Sequence, residues 1–569
     1  MAWKPTFLLT SLLVGSYATP LALHNHARSE KIAWGNCEDE GVTAPAQCGN
    51  LTVPLDYTEP DSGKTLQLQL LKVPAIRGPK KGTILFNFGG PGLEARLSLF
   101  RDGDILQALT GGHYDLIAHD PRGTAKTLTT YCSRNITEQL AVRTESRFND
   151  FPLPSDTMGI GRQWAGSGLY ANFCSEGELQ ENGAYLGTAF TARDLMQIVD
   201  AVTDDGLLKY WGFSYGTALG STVAAMFPDR VDKLILDGVM NPHQYFNSYD
   251  TELWADSDKV FSSFFQQCLK TPEQCALASR NQTAEQLEES IYQLLDDLKR
   301  EPIVYEHSII DHSYMKTYIR FALYGPSSYP SLAAAFNFIL DGNVTGFKEL
   351  ADARVGSLLA AGMAGDDAAF AIPCADKKTG KHTLDEIMPD LNTLSQTSKL
   401  LGEVGNAIAM TCTQWKFDAK ERYEGNFESK TKNPIMVIGN TYDSATPLRS
   451  AQNISASFEG SVLLEHGGWG VSPFFVGYNF VVPGLTCYYS TRLWLTGLHA
   501  RRGLSGITGR MVPFLLLEQS VNQIIPLSNL AHWKMFWLTL ASLIRNKCCQ
   551  RPALAQRSYL SFLTACISH

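Results

Sequence analysis

Gly212-Phe213-Ser214-Tyr215-Gly216 has the residue types of an activated nucleophile on a sharp turn. A serine hydroxyl is exposed to attack a carbonyl when its backbone bends abruptly from strand to helix. Glycines two positions to either side remove the Cβ atoms that would collide in such a bend. The pentapeptide is short and recurs by chance, so its setting matters more than its spelling. Leu207–Trp211 before it reads as an apolar strand, and Thr217-Ala218-Leu219-Gly220 after it opens a helix of small residues. A second glycine-rich turn, Phe88-Gly89-Gly90-Pro91-Gly92, follows another apolar run. Backbone N–H groups can approach a substrate there, so the N–H groups of Gly90 and Tyr215 are assigned to an oxyanion site. Asp443, in Asn440-Thr441-Tyr442-Asp443-Ser444-Ala445-Thr446-Pro447, also lies just past a strand-like run. A carboxylate in that place can orient a histidine and stabilise its charged form.

These residues need a frame. From about Gly82 short apolar runs alternate with helical stretches, the pattern of βαβ units and a mainly parallel sheet. Strands are expected at Thr83–Phe88, Tyr114–His119, Leu207–Phe213, Lys233–Asp237, Ile435–Gly439 and Ser461–His466. Each ends near a turn or polar residue, where an open α/β sheet places its ligand. Residues 241–414 read instead as helices without strand-like runs. In Thr283–Arg300, Leu287, Ile291, Leu294, Leu295 and Leu298 form one stripe, and Thr283 with Gln286 makes a capping box. Such an insert, between the sixth and seventh strands, would cap the site. The core is then expected over 34–240 and 415–470.

Several longer segments together carry a resemblance. Phe88–Gly92, Asp120-Pro121-Arg122-Gly123, Thr191-Ala192-Arg193-Asp194-Leu195 and Tyr210–Gly220 occur in that order, followed by Phe227-Pro228-Asp229-Arg230-Val231 and Asp237-Gly238-Val239. Ile372-Pro373-Cys374-Ala375-Asp376, Cys412-Thr413-Gln414-Trp415 and Tyr442–Pro447 complete the series. Over residues 34–470 the chain resembles the tripeptidyl-aminopeptidase-like serine peptidases, relatives of prolyl aminopeptidase. The resemblance implies an α/β-hydrolase fold with a helical cap and a secreted serine hydrolase, typically an exopeptidase, that needs no cofactor. Phe88 stands where simpler relatives have His, and Thr124-Ala125-Lys126-Thr127 where Gly and Ser are usual.

One departure touches the chemistry. Glu465-His466-Gly467-Gly468-Trp469-Gly470 is similar to the family segment that leads directly into the catalytic histidine, and the next residue here is Val471. Valine cannot take the serine proton. His466 is the candidate within the segment, but it ends a strand five residues early. His499 and His532 lie further on. The reading preferred here is that residues 471–569 are foreign to the fold, a retained intron or shifted frame. Those 99 residues carry nine Lys/Arg against one acidic residue, whereas the first 470 carry 39 against 56. Three functions follow: an exopeptidase working through an acyl-enzyme on Ser214, an esterase or amidase on small molecules, or a family member made defective by Val471.

The remaining features concern compartment and partners. Lys4 followed by the apolar Phe7–Val14 and small residues near Ala18 and Ala22 reads as a cleaved signal peptide over 1–22, too short to span a bilayer. Sequons at Asn50, Asn135, Asn281, Asn343 and Asn453 fit an extracellular glycoprotein. Eight of twelve cysteines precede residue 470; the pairing preferred is Cys37–Cys48, Cys132–Cys174, Cys268–Cys275 and Cys374–Cys412, although spacing alone does not fix connectivity. A net charge of −9 argues against nucleic acid as a partner and leaves a peptide or small-molecule substrate. No His/Cys group has metal-site spacing.

Overall fold

The computed structural model describes residues 31–471 apart from 40, 133–134, 248, 361–366 and 379. The expected signal peptide, His499, His532 and all of the tail past Val471 lie outside the described residues.

An eight-stranded sheet forms the centre. Its strands are β1 (Gln47–Pro54), β2 (Thr65–Val73), β3 (Gly82–Asn87), β4 (Tyr114–His119), β5 (Leu208–Ser214) and β6 (Val231–Val239). A short hairpin, β7 (Ile303–Tyr305) and β8 (Ser308–Ile310), lies apart from it; β9 (Met436–Tyr442) and β10 (Val462–Trp469) complete the sheet. The spatial order is β1-β2-β4-β3-β5-β6-β9-β10. Pairing is antiparallel across β1–β2 and β2–β4 and parallel from β4 to β10. All six expected strands are present. Helices 95–109, 188–202, 215–226 and 448–457 connect them. Apolar residues fill both faces, Leu195, Leu208, Leu219 and Val437 in one cluster and Phe86, Leu99, Ala118 and Phe213 in the other.

The insert after β6 is a helical cap with its own core, in which Phe261, Phe264, Phe265 and Phe336 pack on Leu287, Ile291, Leu295 and Leu298. The capping box of Thr283 and Gln286 is formed. Two expectations need correction. The insert is not wholly helical, because β7 and β8 pair within it. The helical layer also draws on helices 136–146 and 157–176, which precede β5: Tyr170 Oη donates to Asp367 (2.6 Å) and Gln414 Nε2 to Trp164 O (3.0 Å).

All four preferred disulfides are formed. Among the described residues no helix is long and apolar enough to cross a membrane, and no cluster of His, Cys, Asp and Glu could hold a metal ion.

Candidate active site

Ser214 is the last residue of β5 and the N-cap of helix Tyr215–Met226, with φ 52° and ψ −121°. Residues with a Cβ rarely adopt that region, and the neighbours must enforce it. A Cβ at Gly212 would collide with the Gly216 carbonyl, and one at Gly216 would lie 2.6 Å from Asn87 O, so only glycine fits either place. Tyr210 Oη donates to Gly216 O (2.8 Å), Thr217 Oγ1 to Ser214 O (2.6 Å), and Met240 N–H to Thr217 Oγ1 (2.9 Å). The bend is thus held from β5, from the helix that follows it and from the residue just past β6. The half-buried Ser214 side chain makes no capping bond to its own helix.

The glycine loop after β3 lies directly on this bend. A Cβ at Gly89 would sit 2.8 Å from Phe213 O, 2.9 Å from Ser214 Cβ and 3.2 Å from Tyr215 N. Gly89 and Gly90 have φ of 96° and 105°, accessible without strain only to glycine. Asn87 Oδ1 accepts the Gly89 N–H at 3.0 Å and pins the turn. Tyr215 N is the first N–H of its helix, a group with no intrahelical acceptor. Phe88 faces the core, its ring stacked on Phe213 (5.7 Å) and Phe86 (6.2 Å).

Asp443 lies one residue past β9 and is fully buried. Its Oδ1 accepts N–H groups from Ala445 (2.8 Å) and Thr446 (2.6 Å), and its Oδ2 accepts the Thr446 hydroxyl (2.6 Å). Burial nevertheless pushes the carboxyl up to about 7, against the pull of those donors.

His466 is placed elsewhere. It pairs in register with Asn440 in the middle of β10, and its Nδ1 lies 2.7 Å from Asn440 Oδ1. β10 is the third strand along from β5, so at about 4.8 Å per strand it stands roughly 14 Å from the bend. Burial lowers the pKa of the ring, which is not brought to Ser214.

Residue 471 is. After β10, Trp469 stacks on Tyr442 (4.8 Å) and its Nε1 donates to Ser263 of the cap (2.8 Å). The chain then turns back: Gly470 N–H donates to Tyr442 O (2.9 Å), and Asn440 Nδ2 to Gly470 O (2.6 Å). Val471 N–H donates to Tyr324 O (3.1 Å), while Val471 O lies 3.3 Å from Thr446 Oγ1, the hydroxyl whose proton goes to Asp443. A Cβ at Gly238 would collide with that same carbonyl, and the next residue, Val239, pairs with Ser214. The backbone has crossed β9 to reach the end of β6.

Ser214, the glycine loop, Asp443 and residue 471 therefore share the carboxyl edge of the parallel strands, under the cap. A family model described as alpha/beta hydrolase fold matches residues 82–329, and one described as TAP-like protein matches 398–481. The chain has the α/β-hydrolase fold. It is 26% identical over 455 residues to serine protease Hip1 of Mycobacterium tuberculosis, an alignment covering 77% of this chain and 85% of that protein. It is 26% identical over 463 residues to a tripeptidyl aminopeptidase of Streptomyces lividans, covering 78% and 81%. Among solved structures, an acetylester hydrolase from Corynebacterium glutamicum is 12% identical over 76% of this chain and 92% of that one, with a TM-score of 0.30, too slight a likeness to carry argument.

Sequence reasoning did not single out Asn87 or Thr446, which hold the loop and the acid. Each is a polar residue at or just past a strand end, flanking a motif that was noticed. The five sequon asparagines are all exposed. Asn453 Nδ2 donates to Glu252 (3.1 Å).

Proposed function

We propose that this α/β-hydrolase is built as an exported exopeptidase in which Ser214 attacks the scissile carbonyl. Gly90 and Tyr215 N–H groups hold the oxyanion, Asp443 steers a base at position 471, and the chain as written lacks that base because Val471 occupies its seat. The observation that carries this reading is the path of the backbone at Gly470 and Val471, which returns from the sheet edge to the Asp443 loop and the end of β6. A histidine there would stand between acid and nucleophile, the order of parts that a serine triad requires. The helical cap favours chain ends over internal peptide bonds, and the names of the relatives point to peptides as substrates. Export over residues 1–22 and glycosylation at Asn50, Asn135, Asn281, Asn343 and Asn453 agree with four disulfides, which persist in oxidising compartments.

Residues 471–569 belong, on this reading, to a different coding context. The charge balance reverses at the residue where the base should stand. Val471-Ser472 is encodable as GTGAGT, the form of sequence that opens a spliceosomal intron. Sequencing the transcript across the Gly470 codon tests this: a spliced form that continues with a histidine codon is expected, and one uninterrupted exon over residues 440–569 refutes it. Labelling with a fluorophosphonate tests the site itself. Ser214 of the chain as written is expected to label slowly, and fast labelling would show that a base other than residue 471 serves it.

A further inference from the structure

Helix Ala368–Asp376 of the cap ends in a carboxylate that the proposed mechanism does not use. Asp376 is buried, 1% exposed, and three donors converge on it. Its Oδ1 accepts the Thr188 N–H at 2.7 Å; its Oδ2 accepts the Thr188 hydroxyl at 2.6 Å and the Tyr245 hydroxyl at 2.8 Å. Lys377, the cation beside it, turns its ammonium to Tyr245 O (2.6 Å) and Asp250 (2.7 Å). Thr188 Oγ1 has one further neighbour, the Tyr215 hydroxyl at 2.7 Å. A hydroxyl carries a single proton, and that of Thr188 goes to Asp376, so Tyr215 is the donor in this last bond. The resulting chain runs Tyr215 O–H to Thr188 to Asp376.

The other end of the same helix meets the glycine loop. A Cβ on Gly92 would lie 3.0 Å from Ala368 Cβ and 3.2 Å from Ala369 N, so the loop seats on the first turn. That turn is anchored in its own right. Asp367, just before it, accepts from Tyr170 Oη (2.6 Å), Arg143 (2.7 Å), Cys132 N (2.9 Å) and Gln139 (3.0 Å). The Cys374–Cys412 disulfide ties the last turn of the helix to helix Asn406–Thr413.

We infer that Asp376 is a positioning residue for the oxyanion site: through Thr188 it fixes Tyr215, whose backbone N–H is one donor, while the helix it ends seats the loop carrying the other. This rests on the assignment of Ser214, Gly90 and Tyr215 above. It also gives a physical reason for the Pro-Cys-Ala-Asp segment, which lies some 160 residues after the nucleophile in sequence and beside it in space.

The absent base makes the inference directly measurable. A serine triad missing one member keeps a residual rate that comes from the oxyanion site and binding alone. In the chain as it exists, slow hydrolysis of a p-nitrophenyl ester therefore reports on those donors, with Ser214→Ala as the blank. Removing an oxyanion donor outright costs about 10²–10³ in kcat. A donor displaced and not removed is expected to cost about tenfold in kcat, with KM unchanged. Asp376→Asn keeps an acceptor for Thr188 N–H but presents an amine to the two hydroxyls, and Tyr215→Phe deletes the far end of the chain. Each is expected to lower kcat by that amount, and the double variant to be no worse than either. If Asp376 only caps helix 188–202, its variant will melt earlier and leave kcat per folded molecule unchanged, which overturns the inference; additive losses overturn it too. Should Asp376→Asn not fold, Tyr215→Phe carries the same test. A rate that Ser214→Ala leaves intact overturns the assignment of the nucleophile instead, and the inference with it.

Discussion

Replacing Val471 by histidine should convert this protein into a faster hydrolase. In a serine protease, loss of the base alone costs about 10⁶ in kcat, equivalent to roughly 8 kcal/mol at 1.36 kcal/mol per tenfold. The acid is already seated: Asp443 accepts three donors, one of them the Thr446 hydroxyl, whose oxygen lies 3.3 Å from the carbonyl of residue 471. Against full recovery stands the environment of Val471, 6% exposed among the apolar residues of the cap core. Seating a polar ring there without ideal partners costs about 1–3 kcal/mol. Half of the lost stabilisation recovered would be about 4 kcal/mol, or roughly 10³ in kcat. The assay is release of p-nitroaniline from a tripeptide anilide with a free amino terminus, beside its N-blocked counterpart. The rate of Val471→His should rise with pH as the imidazole loses its proton, because only the neutral ring can take the serine proton. Adding Asp443→Asn should remove most of the gain. A folded Val471→His protein no faster than the parent, or one whose gain survives Asp443→Asn, would refute the placement of the base.

Other outcomes follow from the same geometry. His466→Ala should leave the residual ester rate unchanged, since His466 is bonded to Asn440 three strands from the nucleophile. Gly89→Ala should abolish that rate, because its Cβ would meet Ser214 Cβ at 2.9 Å, whereas Gly63→Ala, with nothing within 4 Å, should cost about 1 kcal/mol of backbone strain and no activity. Asp443 is pushed up to about 7 in the folded protein, above its unfolded value, so the native state binds the extra proton between about pH 4 and 7. Its contribution to stability therefore falls as pH rises through that window, and Asp443→Asn should flatten the denaturation midpoint there relative to the parent. Removing Cys132–Cys174, which closes 42 residues, should lower stability more than removing Cys268–Cys275, which closes 7, by about 1–2 kcal/mol on the loop-entropy account.

What was legible depended on whether the signal was local. The six parallel strands, the bend at Ser214 and the capping box at Thr283 follow from short patterns of apolar residues, glycines and caps, and all are present. β2 carries an equally readable signal, since Leu66, Leu68 and Leu70 alternate with Gln67 and Gln69, but it precedes the βαβ alternation that begins at Gly82 and pairs antiparallel. The hairpin β7–β8 has three residues per strand, too short for periodicity to register. Asp376 is a different case. Its role depends on Thr188 and Tyr245 arriving from separate elements, which no window of sequence contains. That helices 136–146 and 157–176 join the cap is likewise a fact of packing, across 197 and 250 residues of sequence.

On the proposed reading, the place of Val471 in the chain explains how the fold can stand without the base. Val471 follows β10, and among the described residues all eight strands of the sheet are already paired before it. Val471 is neutral and apolar, and it packs with Ala445 and the cap core at no desolvation cost, as an unpartnered imidazole would not. The strand before it is lightly covered: no residue of β10 is buried, while four of the seven in its neighbour β9 are. An edge strand so lightly covered is the place where an apolar face would be left for another segment to cover. A spliced product that supplies the histidine is thus expected to protect the β10 amides from hydrogen exchange more strongly than the present chain does, and equal protection in the two would show that the continuation contributes chemistry alone.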